Sequence, residues 1–525
     1  MPSGFGDTLF KAIIAIPAVH RLINRYVISK YADSGPLPGL YTTKERGITP
    51  LREMLHKEYF ALEVPTPSPE EIETLPDIEA VTALFERKGP APVSRVSVLL
   101  PLFAQHLTDA VFQSDGMYGT NAAHEIILNQ IYGNTPGDED LLRSHEGGKL
   151  RVQSRQVNGG SASFPDALLE EHEGSWRVRP HFSGLSYLNP KKVDVLLKRY
   201  EGREADVCAT GLFQGNMTLG NFAITTLMVR EHNRLCEGIL AERERKGLST
   251  SDDEIFRIAQ QNNVTAYMKV VIEDYINAFA GQKLFFLDTQ SFFYEDKRWS
   301  RETPLPYHFN ILYRIHAMLP DALKGHEEKG FAAMLANNNM VMETGIGEIF
   351  RIASSQGAGQ VRLGNTHTKL LKAEEAGISK ARGVLGFFNA HRAAHNKDAL
   401  GFDGFDPAFR DQLRELYQGK ANRVEYAVGI LAELPQPGLA EKLGLKDDPI
   451  IGPTLMGAIA KHAFRHILSN RFMTREFLNP EALGAFGWEN LHATTSVADL
   501  VKRNLEGEMD AAAAAQLRVS FVNPT

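Results

Sequence analysis

The sequence has little cysteine, no long apolar run and no excess of positive charge. Only two cysteines, Cys208 and Cys236, occur in 525 residues, so a disulfide framework is excluded and a reducing compartment such as the cytoplasm is expected. No apolar stretch approaches the roughly 20 residues that a membrane-spanning helix needs. The formal net charge is −7, so no basic field recruits nucleic acid.

The first 34 residues are amphipathic and basic. Apolar side chains within residues 8–31 alternate with the basic residues Lys11, Arg21, Arg25 and Lys30. A helix of this kind can lie flat at a lipid surface, although a helix packed on the core is an equal alternative. The sequence therefore predicts a membrane-contacting segment at residues 1–34 and one catalytic domain at residues 35–525.

Apolar residues recur at three- and four-residue spacing through most of the chain, which predicts a mainly α fold. The predicted helices are 98–113, 192–202, 219–245, 253–281, 306–318, 330–354, 382–396, 405–418 and 453–470. Strand evidence is thin, since only KLRVQSRQV and SWRVRPHF alternate, and together they predict one short hairpin within residues 149–182.

Polar side chains stand at helical spacing in three of these helices. Tyr313 and His316 are three residues apart in HFNILYRIHAMLPD, and Gln105 and Asp109 are four apart in FAQHLTDAVFQ. Each pair would share one helix face. In addition, REHNRLC (230–236) interrupts an apolar helix. Buried polar groups need partners, so these residues predict a hydrogen-bonded network beside a site.

REHNRLC resembles the signature of animal-type haem peroxidases and cyclooxygenases. The resemblance to this superfamily covers about residues 8 to 505 and includes further blocks in the same order. They are ILNQIYG, KVVIEDYINAFAG, FNILYRIHAMLPD, METGIGEIF and RVEYAVGILAELPQPG. The most similar branch contains cyclooxygenases and fatty-acid dioxygenases of the alpha or linoleate type, in which a tyrosine precedes the proximal histidine by three positions. The resemblance implies a mainly α, cyclooxygenase-like haem peroxidase domain with few short strands.

The resemblance also implies roles for matching residues. His316 would ligate the haem iron, and Tyr313 would form the radical that abstracts hydrogen from a fatty acid. Tyr426 matches a tyrosine near the proximal side. The implied reaction adds O2 to a long-chain fatty acid and gives a hydroperoxide, and Arg314, in the pattern Tyr-Arg-x-His, favours this over prostaglandin formation.

The distal side departs from the family. Gln105 and Asp109 would be the distal polar groups, but cyclooxygenases have a proton-shuttling histidine where this chain has Asp109. A carboxylate could shuttle the proton if burial raised its pKa, whereas His106 lies about 100° around the helix from Gln105. A peroxidase or isomerase that processes fatty-acid hydroperoxides is therefore the alternative function.

Other departures concern the cofactor and the substrate. The carboxylates that link haem covalently in mammalian peroxidases and their calcium loop have no match, which implies non-covalent haem b. Ala463 matches the serine that aspirin acetylates, and Gln282 matches a channel-mouth tyrosine. Lys30 or Arg25 could pair with a fatty-acid carboxylate. The expected partners are a long-chain fatty acid, O2 and a membrane surface, and the sequence leaves a homodimer open.

Two histidine pairs offer a different interpretation. HRAAH (391–395) and HAFRH (462–466) each place histidines at positions i and i+4, and such pairs chelate zinc or iron. If the two helices faced each other, they could form a metal site without haem. Neither motif contains an acidic residue, and Arg392 and Arg465 lie inside them, so we favour histidines that line the core or a substrate channel.

Overall fold

The computed structural model describes most of the chain. The described residues are 16–34, 41–42, 60–111, 114–115, 119–120, 125–281, 283–289, 293–300, 305–312, 314–438 and 447–523. Among the predicted site residues, Tyr313 and Gln282 lie outside these ranges.

Helices dominate the described residues. In chain order they are α1 Pro17–Ala32, α2 Pro69–Glu73, α3 Ile78–Ala83, α4 Leu99–Val111, α5 Asn129–Tyr132, α6 Pro136–Leu142, α7 Pro190–Arg199, α8 Leu219–Arg245, α9 Asp252–Val270, α10 Ile276–Ala280, α11 Phe309–Leu312, α12 Asn338–Thr344, α13 Ile346–Ser355, α14 Leu371–Arg382, α15 Phe388–Ala394, α16 Arg410–Leu416, α17 Tyr426–Ala432, α18 Pro453–Leu468, α19 Pro480–Ala493, α20 Val497–Lys502 and α21 Ala511–Gln516.

The strands are short, and those in the described ranges form antiparallel pairs. They are β1 Tyr41–Thr42 with β2 Ala61–Leu62, β3 Val93–Ser97 with β10 Gly357–Gly359, β4 Ser114–Asp115 with β5 Gly119–Thr120, β6 Val152–Val157 with β7 Gly160–Pro165, and β8 Leu169–His172 with β9 Ser175–Val178. The predicted mainly α fold with few short strands is confirmed.

The centre of the fold is α8, a 27-residue helix. It begins where the Thr218 side chain accepts a hydrogen bond from the Asn221 N–H, and it ends before Gly247, whose φ is +64°. Its first half is buried on all sides, as expected for a helix that α4, α9 and α19 surround.

The polar run in α8 forms the buried network that the sequence predicts. The Glu231 carboxylate accepts hydrogen bonds from Arg234 and Arg503. Burial alone would raise the pKa of Glu231, but the two arginines outweigh it and lower that pKa to about 2. The preceding residue, Arg230, pairs with Glu508 at 2.6 Å. The network therefore joins α8 to the C-terminal helices.

Helix α1 packs on α18 and leaves its other face open. Asn24, Ile28 and Ala32 are buried, and the Asn24 amide donates to the Phe286 carbonyl. Leu22 and other apolar side chains on the opposite face are exposed. Among the described residues, no helix is both long and apolar enough to cross a membrane. The division into residues 1–34 and 35–525 stays a prediction.

The predicted single helix over 306–318 is wrong. Helix α11 ends at Leu312, and Ile315 has φ −87° and ψ 41°, outside the helical region. A 3-10 turn, His316–Met318, follows. His316 therefore lies outside the helix on which the sequence analysis placed it, and Tyr313 lies outside the described residues.

Long-range contacts explain why this segment leaves the helix. The Arg314 guanidinium donates to the Ala373 carbonyl at 3.0 Å, and His316 bonds to Glu374 at 2.8 Å. Both contacts attach the chain to α14, and helical periodicity in the local sequence carries no information about them.

Other predicted helices are interrupted at residues with positive φ. The stretch 330–354 contains a 3-10 turn, α12 and α13, which are separated at Ala336 (φ 43°) and Gly345 (φ 85°). The stretch 382–396 begins at the end of α14, and α15 starts only after Gly386 (φ 64°). Glycine tolerates this conformation, which ends helices.

The predicted hairpin within 149–182 is also wrong in its pairing. Each alternating stretch pairs with its own neighbour, so β6 joins β7 and β8 joins β9. The structure therefore has two hairpins where the sequence analysis expected one.

Candidate active site

A cleft opens between α4, the start of α8 and the turn at His316. It is lined by Pro101, Leu102, Gln105, Thr108, Asp109, Thr218, Arg314, Ile315, His316, Leu319, Phe331, Met334, Leu335, Leu370 and Ala373. We call it the His316 cleft. Its lining is mainly apolar with a few convergent polar groups, which is typical of ligand sites.

Helix α4 contributes Gln105 and Asp109, whose i, i+4 spacing on an intact helix directs both side chains into the His316 cleft. The first turn of α8 holds them. The Thr218 hydroxyl donates to Gln105 Oε1 at 3.1 Å, and the Asn221 amide donates to Asp109 Oδ2 at 2.6 Å. His106 points away from the cleft, since its Nδ1 lies 3.0 Å from the Tyr267 hydroxyl.

Asp109 has the electrostatics of a proton carrier. Burial raises its pKa to about 6, against the hydrogen bonds from Asn221 and Gln105, which lower it. The pKa of His106 is instead lowered by burial to about 3, so this ring is neutral at neutral pH. Of the two residues, only Asp109 can change protonation state near pH 6.

His316 reaches the cleft from the opposite side. Its Nδ1 lies 2.8 Å from Oε1 of Glu374, a carboxylate on α14 that is 2% exposed. The Thr366 hydroxyl donates to the same oxygen at 3.4 Å. A carboxylate on Nδ1 fixes the ring orientation, leaves Nε2 as the coordinating nitrogen and makes it more basic.

The profile of the Animal haem peroxidase family matches residues 114–515 of this sequence. The chain belongs to the animal haem peroxidase family. It is therefore an oxidoreductase of that family, and membership implies haem.

Two relatives and two solved structures show the range of similar proteins. Prostaglandin G/H synthase 2 from Gallus gallus is 27% identical over 448 residues, which cover 82% of this chain and 67% of the relative. The Mus musculus enzyme is 24% identical over 514 residues, covering 94% and 78%. The crystal structure of fatty acid alpha-dioxygenase from Oryza sativa superposes with a TM-score of 0.66 at 15% identity, covering 99% and 96% of the chains. Peroxidase A from Dictyostelium discoideum gives 0.63 at 14% identity, covering 86% and 92%.

The residues of the His316 cleft fit haem. An imidazole whose second nitrogen is held by a buried carboxylate is a suitable axial ligand for iron. Leu319, Phe331 and Leu335 supply apolar surface of the kind that a porphyrin face needs. Arg314 lines the same cleft and is held there by the Ala373 carbonyl, so its positive charge would lie beside a propionate.

A second cleft lies between α1 and α18 and has a volume of about 430 Å³. It is lined by Val27, Lys30, Tyr31, Ser34, Glu63, His391, His395, Lys397, Tyr426, Gln436, Pro449, Ile451, Pro453, Thr454, Met456, Gly457 and Ala458. We call it the α1 cleft. Lys30 lines this cleft, and its role as a carboxylate-binding residue stays a prediction.

The other predicted site residues lie at different positions in the fold. Tyr426 is buried beside His391, with ring centroids 4.1 Å apart, and lines the α1 cleft rather than the His316 cleft. Arg25 is paired with Asp288 at 2.5 Å and does not line the α1 cleft. Ala463 is buried within α18. The roles given to these residues stay predictions.

Several polar residues that hold cleft residues or lie beside the clefts, without lining them, were missed from the sequence. Glu374 stands in an ordinary charged stretch, and Asn221 follows the N-cap of a helix; nothing local marks either as a site residue. Arg465 was noted only as an interruption of HAFRH. Its Nε donates to the Ala32 carbonyl, and both terminal amino groups are buried without a partner among the described residues. A buried guanidinium in this state favours a bound anion.

Five polar side chains meet deep in the fold beside the α1 cleft. Glu63 follows β2, His308 precedes α11, His395 lies at the end of α15, and Lys461 and His462 lie on α18. We call them the Glu63 cluster. The HRAAH and HAFRH helices each contribute one histidine to this cluster, because His395 and His462 both bond to Glu63.

Proposed function

We propose that the chain is a haem-dependent fatty-acid dioxygenase. The observation that carries the proposal is the His316 cleft, where Gln105 and Asp109 on one wall face an imidazole held by Glu374 on the other. The similarity to prostaglandin synthases and to fatty acid alpha-dioxygenases supports a long-chain fatty acid and O2 as substrates. Haem b, held without a covalent link, would supply the one-electron oxidation that generates a protein radical.

Tyr313 is proposed as the residue that carries this radical. In sequence it lies five residues after His308, a member of the Glu63 cluster beside the α1 cleft, and three before His316. The described residues on its two sides therefore belong to different places, His308 to the Glu63 cluster and His316 to the His316 cleft. The Tyr313 phenoxyl oxygen would take a hydrogen atom from a substrate C–H bond and become a phenol. O2 would add to the carbon radical, and the peroxyl radical would take the hydrogen atom back, giving a hydroperoxide and restoring the radical.

The α1 cleft is proposed to bind the fatty acid. Its apolar residues suit an acyl chain, and Lys30 at its edge and the buried Arg465 beside α1 supply positive charge for the carboxylate. The exposed face of α1, with Leu22 and Tyr26 more than half exposed, would contact the membrane from which such a substrate comes.

The test is oxygen uptake by haem-loaded protein with palmitate, oleate and linoleate, with products identified by mass spectrometry. Uptake should disappear in Tyr313→Phe and persist in Tyr307→Phe, the matched change at a buried tyrosine of the same segment. Unchanged uptake in Tyr313→Phe would refute the radical assignment.

The second candidate, processing of fatty-acid hydroperoxides, is favoured by Asp109. A carboxyl group with a pKa near 6 can accept the hydroperoxide proton and return it to the departing oxygen. Absence of uptake with all three fatty acids, together with rapid consumption of their hydroperoxides, would support this alternative.

A further inference from the structure

We propose that the Glu63 cluster is a binding site for a divalent transition metal ion, zinc in the first instance, that is separate from haem. Its ligands would be Glu63, His308 and His462. The three come from parts of the chain that are far apart in sequence, and all three side chains are buried.

The ligand atoms are close enough for one ion. Glu63 Oε2 lies 3.7 Å from His308 Nε2, and Glu63 Oε1 lies 3.4 Å from His462 Nε2. In a tetrahedral zinc site with bonds of about 2.0–2.1 Å, neighbouring ligand atoms lie roughly 3.3 Å apart. The two measured separations end on different oxygens of the Glu63 carboxylate, and one ligand atom from each of the three residues lies within 4.8 Å of the others. A single ion therefore needs a small rotation of the carboxylate, or both of its oxygens, to complete the site.

The two imidazole rings lie closer together than they would as ligands of one ion. His308 Nε2 and His462 Nε2 are 2.6 Å apart, so without a metal one ring must donate to the other. Binding an ion would require the rings to part by about 0.7 Å. His308 Nδ1 is also buried and has no hydrogen-bond partner among the described residues. Two neutral imidazoles and one carboxylate form a set that zinc and ferrous iron prefer.

Neighbouring groups supply support and an entry path. His395 Nε2 lies 2.8 Å from Glu63 Oε2 and holds the carboxylate in place, a common arrangement around metal ligands. Glu63 and His395 both line the α1 cleft, so an ion can enter from there, and a water molecule or an anion in the cleft can fill the fourth position.

Lys461 opposes the ion. Its ammonium group is fully buried and bonds to Glu63 Oε1, and its positive charge would repel a cation a few ångströms away. Replacing Lys461 should therefore strengthen metal binding, which distinguishes a metal site from a purely structural cluster in which the lysine is needed.

The experiment uses the full haem-loaded protein, dialysed against buffered free zinc, and measures the zinc-to-iron ratio by mass spectrometry. We expect one zinc for each haem iron. Glu63→Gln and His462→Gln should each raise the zinc Kd by at least about 100-fold, because loss of an outer partner alone costs about 10- to 100-fold, and Lys461→Met should lower the zinc Kd. His466→Gln, on the same helix one turn further, is the matched control and should bind zinc as the native chain does.

X-ray absorption at the zinc edge makes the test independent of how well the variants fold. In the native chain, two imidazoles and one carboxylate in the zinc shell would support the site. A native chain that retains no zinc, or zinc with fewer than two imidazole ligands, would overturn the proposal. Equal zinc affinity in folded His462→Gln and in the native chain would overturn it as well.

Discussion

Replacing Glu374 by glutamine tests the orientation of His316 most directly. Glutamine keeps the size of the side chain and can still accept hydrogen bonds from His316 and Thr366, but it removes the charge. A charge-assisted hydrogen bond contributes about 1.5–3 kcal/mol, and loss of such an outer partner typically weakens metal binding 10- to 100-fold. We therefore expect Glu374→Gln to raise the haem Kd by about 10- to 100-fold.

Two readings of the same samples check this expectation. Haem titration followed at the Soret band gives the Kd, and a redox titration gives the midpoint potential, which should rise because a less basic imidazole stabilises ferric iron less. Glu375→Gln, the same change at the next residue, should leave both values unaltered. If Glu374→Gln bound haem with the native Kd and midpoint potential, His316 would not be the ligand that Glu374 orients.

Four further outcomes follow from the clefts and the α8 network. The rate of hydroperoxide cleavage, measured by stopped flow, should increase as the pH rises through about 6, where Asp109 becomes a base. Asp109→Asn should slow this reaction about 100-fold or more. A rate that does not change with pH would contradict this role. The pKa of Asp109 is higher in the folded than in the unfolded state, so its protonation favours folding below about pH 4, and this contribution is lost above about pH 6. Asparagine stays neutral at every pH. Asp109→Asn should therefore raise the free energy of unfolding of the haem-free protein at pH 8 by up to about 3 kcal/mol, measured by urea unfolding. Glu508→Gln leaves Arg230 buried without its partner and should cost about 3–5 kcal/mol in the same assay, whereas Glu506→Gln at an exposed position should be neutral. Arg465→Ala should raise the KM for palmitate but not that for the corresponding uncharged alcohol, and equal effects on both would exclude Arg465 as the carboxylate partner.

The sequence predicted those parts of the fold whose cause is local. Helix α8 matches its predicted bounds, 219–245, because a threonine cap, a continuous apolar face and a closing glycine all lie in the sequence itself. Helix α4 was also predicted nearly to its ends, and with it the i, i+4 placement of Gln105 and Asp109 in one cleft.

The errors arose where distant contacts override the local pattern. Residues 306–318 have helical periodicity, yet Arg314 and His316 are held by α14, some 60 residues away. Glu374 could not be identified as the partner of His316, because a single sequence contains no sign of which carboxylate lies opposite a given imidazole. Neither HRAAH nor HAFRH contains an acidic residue, and the carboxylate that meets them, Glu63, was missed for the same reason, because it comes from the first part of the chain.

The α8 network has a consequence for the synthesis of the protein. Arg230 meets Glu508 across 278 residues of sequence, and Glu231 meets Arg503. At about 5–20 residues per second, a ribosome needs roughly 14–56 seconds after Arg230 to reach Glu508. During that time Arg230 lacks Glu508 and Glu231 lacks Arg503, although Glu231 already has Arg234 on the same helix. The surface of α8 that the C-terminal helices cover therefore stays exposed until near the end of translation, and this is when chaperones can act on it.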